Sequence, residues 1–341
     1  MRVAVTGGTG FVGAYTVRAV LDAGHDVTLL VRDPARIGET LAPLDVTADD
    51  VTVVQGDMTD ADAVGRAMTG ADAAIHAAAL VSLEKARGPE VLTANPLGTR
   101  TVVDAALAAG ADPVVYVSST ASLFQRGITT LRTDLPPAEL DSAYGRSKAL
   151  AEGWVRERQA EGAPITITYP AGVLGPPCGP AAGEVSAAVA SHMRSGMLPI
   201  PKATWSIVDV RDIADVHVAC LEPGRGPRRY MCGGTYMTMA ELAAIYRRLT
   251  DRRMPTVRAP GAAFRGLGRV NDALGRVVSI DTIFTGEAME MFTRWVPTDD
   301  TATHAELGVE WRDPEGTLRE TIEGLVADGR ISPKQAGSRA G

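Results

Sequence analysis

Tyr144 and Lys148 stand four residues apart, the spacing that puts two side chains on one face of a helix. A free phenol has a pKa of about 10 and exchanges protons poorly at neutral pH. A lysine ammonium beside it favours the phenolate and makes the exchange feasible. A third group should then hydrogen-bond the oxygen on which charge develops, and Ser118, Ser119, Thr120 and Ser122 all compete for that place. Near the N-terminus, Thr6-Gly7-Gly8-Thr9-Gly10-Phe11-Val12-Gly13 joins a short apolar run to a helical pattern. Glycine there permits a tight strand-to-helix turn and lets a pyrophosphate approach the backbone N–H groups at the helix start. Gly13 allows the helix to pack closely on the strand. The chemistry this predicts is dinucleotide binding joined to proton transfer.

Such groups need a rigid frame. Arg2 to Thr6, Val27 to Val31, Val51 to Val54, Ala73 to His76, Val114 to Val117 and Ile165 to Tyr169 read as strands. Helical patterns lie between them, notably Thr99 to Ala109 and Ala143 to Glu161. Strands that are apolar throughout and separated by helices predict an α/β fold, a doubly wound parallel sheet that binds ligands at its strands' carboxyl ends. Residues 171–204 are rich in Gly and Pro and read as pocket-walling loops; 205–233 return to strand, helix and strand. From Met237 to near Asp328 the pattern is mainly helical. The expected layout is a dinucleotide-binding domain of 1–170 plus about 205–235. A smaller, mainly helical substrate domain takes 171–204 plus about 236–330, and 331–341 form a disordered tail. Phe264, Leu267, Val270, Leu274, Val277 and Val278 make an apolar stripe that reads as a lid or core helix, with a membrane surface as the alternative.

The glycine spacing, Gly7-x-x-Gly10-x-x-Gly13, resembles the extended short-chain dehydrogenase/reductases. Further matches follow in family order: Gly56-Asp57-Met58-Thr59-Asp60, His76-Ala77-Ala78-Ala79, Asn95-Pro96-Leu97-Gly98-Thr99 before a helix, Tyr116-Val117-Ser118-Ser119, Tyr144-Gly145-Arg146-Ser147-Lys148, and Tyr169-Pro170-Ala171-Gly172-Val173-Leu174. They span about residues 1–235, and the branch they most resemble is that of the dihydroflavonol reductases and 3β-hydroxysteroid dehydrogenases. The resemblance implies cofactor contacts from Gly7, Thr9, Gly10, Phe11 and Val12. It implies others from Asp57 and Met58 at the adenine, Ala77, Ala78 and Ala79 along the cofactor backbone, and Asn95, Val117, Pro170 and Val173 toward the active end. By the family's spacing Ser119 is the third catalytic hydroxyl, with Thr120 the runner-up, and Lys148 also holds the nicotinamide ribose.

Which nucleotide is accepted depends on the end of the second strand, Val31-Arg32-Asp33-Pro34-Ala35-Arg36. Arg32 suits a 2′-phosphate, with Arg36 close by in sequence, so NADP(H) is expected. Asp33 could take a ribose hydroxyl instead, which keeps NAD(H) open. Candidate substrate residues Val81, Phe124, Leu174 and Trp205 are apolar and suit an apolar ketone or alcohol. Three functions stay in play: a carbonyl reductase, a nucleotide-sugar epimerase or dehydratase, and a non-catalytic dinucleotide sensor. The full Tyr144, Lys148, Ser119 set argues against the last. Thr120-Ala121 after Ser119 supplies no acidic pair for dehydration.

A net charge of −7 gives no nucleic-acid signature, and the three cysteines have neither metal-ligand nor disulfide-framework spacing, so no metal is expected. The first apolar run is too short for a signal peptide and no stretch is long enough to span a bilayer, which predicts a cytoplasmic protein acting on a small molecule. Family relatives pair through helices matching about 91–109 and 143–161, so a homodimer is expected.

Overall fold

The computed structural model describes residues 1–80, 87–138, 140, 142–199, 202–257, 259–274 and 286–337. In chain order, strands β1 (Arg2–Thr6), β2 (Asp26–Val31), β3 (Val51–Gln55), β4 (Ala73–His76), β5 (Val114–Val117) and β6 (Ile165–Pro170) alternate with helices. These are α1 (Phe11–Asp22), α2 (Ala35–Leu41), α3 (Ala61–Met68), α4 (Gly88–Ala108) and α5 (Ala143–Ala160). Then come β7 (Gly172–Leu174), α6 (Glu184–Ser195), β8 (Leu198–Pro199), β9 (Thr204–Asp209), α7 (Val210–Ala219), β10 (Arg228–Cys232) and β11 (Thr235–Thr238). The remainder is α8 (Met239–Thr250), β12 (Thr256–Val257), α9 (Gly261–Leu274), α10 (Gly286–Arg294), α11 (Thr301–Leu307), α12 (Pro314–Ala327) and α13 (Pro333–Ala336).

Seven strands form one sheet in the order β10-β6-β5-β4-β1-β2-β3, every pairing parallel. Successive residues of β1 face opposite sides: Val3 and Val5 join a core with Val17 of α1 and Ile213 of α7, while Ala4 joins one with Val102 of α4 and Val155 of α5. This is the expected doubly wound α/β sheet. Its strand order reverses between β1 and β4, so a crevice opens beyond their carboxyl ends.

A third core lies apart from the sheet, where Leu174, Met193, Leu242, Tyr246, Leu318 and Ile322 pack together. Strands β7, β9 and β11 form a small sheet there. Thus β9 leaves the large sheet, although α7 and β10 belong to it. The stretch 171–204 is not all loop: α6 crosses it, bounded by Gly183 and Gly196, with Val189, Ala190 and Met193 buried. Nor is the tail disordered from 331. Ser332 and Gln335 make a capping box around α13, and Ala336 is buried; residues 338–341 lie outside the described set. The helix expected from Thr99 begins at Gly88 and runs through Pro96, because packing against α5 outweighs one missing backbone donor. Of the stripe on α9, Leu267 and Val270 are exposed, Phe264 packs on the third core, and Val277 and Val278 lie outside the described residues. Among the described residues no helix is long and apolar enough to cross a membrane, and no cluster of side chains is arranged to hold a metal ion.

Candidate active site

The phosphate loop is built by steric exclusion. Gly7 has φ +81°, and a Cβ there would lie 2.5 Å from the Ala78 nitrogen at the end of β4. A Cβ on Gly13 would overlap the Gly7 carbonyl, so α1 seats directly on the turn. Gly10 is the N-cap and offers no side-chain acceptor, which leaves the first amides of α1 available to an anion. Around this turn is a cleft of about 260 Å3 lined by Gly7, Thr9, Gly10, Arg32, Arg36, Asp57, Met58, Ala77, Ala78 and Ala79. Ten of the sequence-chosen residues therefore meet in one place.

Arg32 and Arg36 both border the cleft at its β2 side. Asp33 does not; its Oδ1 accepts the Ala35 N–H (3.1 Å) and finishes the turn into α2. Asp57 both lines the cleft and ties its own loop, accepting from the Thr59 N–H (2.9 Å) and hydroxyl (2.7 Å). Phe11, Val12, Val117, Pro170 and Val173 are absent from the cleft lining. Phe11 packs edge-on against Tyr15, and the Pro170 carbonyl accepts the Thr120 hydroxyl at 3.1 Å. Asn95 joins the cleft to α5: its amide grips Leu80 through both backbone groups (2.7 and 3.0 Å) and donates to the Ser147 hydroxyl (2.9 Å). Ser147 in turn donates to the Tyr144 carbonyl at 2.7 Å.

Ser142 caps α5, accepting the Gly145 N–H at 3.1 Å, two residues before Tyr144. Tyr144 is half-buried, and burial pushes its phenol up to about 12, with the Glu184 carboxylate adding to the rise. One turn on, Lys148 is buried; its ammonium donates to the Val117 carbonyl (2.8 Å) and lies 4.9 Å from the centre of the Tyr116 ring. Burial draws Lys148 down to about 8, and the Glu152 carboxylate works against that fall. Of the four competing hydroxyls, Thr120 donates to Pro170, while Ser118 and Ser122 donate to Glu152. Ser119 only accepts, from the Ala121 N–H at 3.2 Å, and is the half-buried one of the four. Among the described residues it alone of these hydroxyls has no protein acceptor.

A second cleft, of about 790 Å3, opens between the segment after Ser119 and helices α9 and α10. Phe124, Pro136, Pro137, Leu140 and Met291 give it apolar walls, and Phe124 stacks on Trp295 (centroids 5.4 Å apart). Arg126, Arg269, Glu287 and Glu290 also line it, and of the described apolar pocket candidates Phe124 is the one in its lining. Glu287 accepts the Ser142 N–H at 2.7 Å, which ties α10 to the start of α5. Neither cleft includes Tyr144, Lys148 or Ser119 in its lining; the second has Phe124 and Leu140, which lie close in sequence to Ser119 and Tyr144, and Leu80 of the first is linked to α5 through Asn95 and Ser147. Two other pocket candidates lie elsewhere: Leu174 is fully buried in the third core, and Trp205 packs edge-on to His192. Val81 lies outside the described residues.

Sequence reasoning passed over two buried polar centres. His76 shares hydrogen bonds with Thr6 (2.7 Å) and Thr99 (3.2 Å), joining β4 to β1 and α4, and burial draws its pKa down to about 3. Glu152, fully buried on α5, is surrounded by donors. The only hint was the spacing Lys148, Glu152, Arg156, which usually marks a solvated helix face.

The model of the NAD dependent epimerase/dehydratase family matches residues 3–233, from β1 past the end of β10. The chain belongs to that family. This extended short-chain dehydrogenase/reductase is 28% identical over 282 residues to sterol demethylase protein B of Methylococcus capsulatus (81% of this chain, 83% of that protein). It is 31% identical over 267 residues to a putative dihydroflavonol 4-reductase of Synechocystis (75% and 74%). In fold it is similar to a UDP-glucose-4-epimerase from Stenotrophomonas maltophila solved with NAD (TM-score 0.75, 19% identity, 97% and 99% covered). The family member described here is thus an NAD(P)-dependent enzyme acting on carbonyl or alcohol groups. Its phosphate loop fits that cofactor, since the first α1 amides lack a side-chain cap and Gly7, Thr9 and Gly10 line the cleft beside them.

Proposed function

We propose that the chain is an NADP(H)-dependent reductase of a ketone or aldehyde on a small, partly apolar molecule, releasing a secondary or primary alcohol. The observation that carries this reading is the Ser119 hydroxyl, which among the described residues donates to no protein acceptor and lies two residues after Val117, whose carbonyl accepts the Lys148 ammonium. When bound, the nicotinamide supplies hydride to the carbonyl carbon. Ser119 donates a hydrogen bond to the carbonyl oxygen, which gathers negative charge, and Tyr144 Oη delivers the proton to it. Lys148 lowers the phenol's affinity for that proton and orients the nicotinamide ribose. Gly7, Thr9 and Gly10 hold the pyrophosphate, while Asp57 and Met58 flank the adenine. Substrate lies against Phe124, with the charged rim of the second cleft meeting any polar end.

The reductases among the curated relatives support oxidoreduction as net chemistry. A sugar-nucleotide epimerase would return hydride to its own substrate and keep its cofactor. The deciding experiment follows NADPH absorbance over a panel of ketones, aldehydes and sugar nucleotides. The reading expects protein that purifies cofactor-free, net NADPH oxidation with a ketone or aldehyde, and turnover at least ~10²-fold lower in Tyr144→Phe with NADPH binding retained. Retained dinucleotide with sugar-nucleotide interconversion and no net absorbance change would replace it by the epimerase. Dinucleotide binding with no turnover of any kind would leave a sensor.

A further inference from the structure

Resting on that reading of the site, we propose that Glu152 is its positioning residue: one buried carboxylate clamps the Ser119 loop onto the helix carrying Tyr144 and supplies the negative charge that balances Lys148.

Glu152 has no exposed surface, and removing a carboxylate from water is costly unless donors surround it. Here they do. Oε2 accepts the Ser118 hydroxyl at 2.7 Å and also the Ser122 hydroxyl; Oε1 accepts the Tyr169 hydroxyl at 2.9 Å and Arg156 Nη2 at 2.7 Å. Ser118 and Ser122 bracket Ser119 in the chain, and the Ser122 hydroxyl shares its single proton between Oε2 and the Ser119 carbonyl, 2.7 Å away. The loop bearing the free hydroxyl is therefore held from below by α5 itself. Tyr169 extends the clamp to β6.

Lys148 stands one turn before Glu152 on the same helix, and Glu152 favours its charged state. The surroundings make Glu152 the local counter-charge. Arg156 on α5 and Arg229 on β10 are cations, and Tyr116 on β5, Tyr169 on β6 and His76 on β4 are buried and held neutral. Tyr144, with the Glu184 carboxylate of α6 that raises its phenol, completes the titrating set at the site. Loss of the carboxylate's charge would leave cations facing one another and depress the pKa of Lys148. The alkaline limb of turnover, in which the Tyr144/Lys148 pair loses its first proton, must then move to lower pH.

The test uses the full chain and a carbonyl compound reduced in the NADPH panel. Glu152→Gln keeps the shape and removes the charge. Its alkaline limb of kcat should fall by about one pH unit and kcat at neutral pH by ~10-fold, with KM changing less than threefold. Ser118→Ala/Ser122→Ala, which leaves Glu152 with Arg156 and Tyr169, should lower kcat by ~10-fold through the loosened Ser119 without moving the limb. A limb at the native pH in folded Glu152→Gln overturns the proposal, and so does native kcat in the double serine variant. Should Glu152→Gln fail to fold, the serine variant alone decides. Native turnover in Tyr144→Phe would overturn the site reading itself; loss there together with an unmoved limb in Glu152→Gln overturns only the role of Glu152.

Discussion

At the scale of single residues, charge placement separates cofactor preference from cofactor binding. Arg32 and Arg36 both border the glycine-lined cleft, and Asp33 is spent on its own turn. A carboxylate free to take the ribose hydroxyls at this strand end would favour NAD; two guanidiniums favour the additional phosphate of NADP. Arg32→Ala should weaken NADPH binding by ~10-fold or more, the scale of one charge-assisted hydrogen bond, and NADH binding by less than twofold. Titration of nicotinamide fluorescence with each nucleotide checks this. Equal affinities in the native protein, unmoved by the substitution, would remove the NADP preference.

Elements show where sequence legibility ended. The strands could be read because parallel strands buried on both faces are largely apolar, and the glycine loop because no other residue fits Gly7 or Gly13. The helix α6 escaped notice: its Ala- and Val-rich centre lies between Gly183 and Gly196, and those same glycines that bound it suggested loop. Leu174 reads from sequence as a candidate pocket residue because it is apolar and stands in a family motif, yet it is buried in the third core. Glu152 was invisible, since burial of an i,i+4 charge row depends on the serine loop and β6 packing over it. Steric seating of α1 on its turn carries its own test. Gly13→Ala forces the helix off the Gly7 carbonyl, and should cost ~1–3 kcal/mol by overpacking and weaken NADPH binding as well. Urea denaturation with parallel nucleotide titration would measure both; a variant native in each would show that α1 can shift without disturbing the phosphate loop.

For the whole molecule, the outward faces of α4 and α5 bear on assembly. The two helices pack side by side, and Leu97 and Leu150 are respectively 48% and 56% exposed on them. We propose that this pair of helices is the homodimer face. Leu150→Glu should yield a monomer by light scattering at micromolar concentration, with the fold retained. A native protein that is already monomeric there would end the proposal.

The path of the chain has a further consequence, for recombination. After β6 it leaves the large sheet for β7, α6 and β9, returns with α7 and β10, departs again at β11, and comes back once more when α11 and Trp311 pack on the first core. The elements around the third core are thus donated by separated stretches of sequence. A gene crossover just after β6 would import a foreign β7 and α6 together with a foreign α7 and β10, mixing two sets of sheet edges at once. Exchanging substrate preference between relatives as modules would need several simultaneous splices. Single substitutions in walls such as Phe124 and Arg269 change the second cleft without cutting the chain, and offer the shorter route by which such a scaffold acquires new substrates.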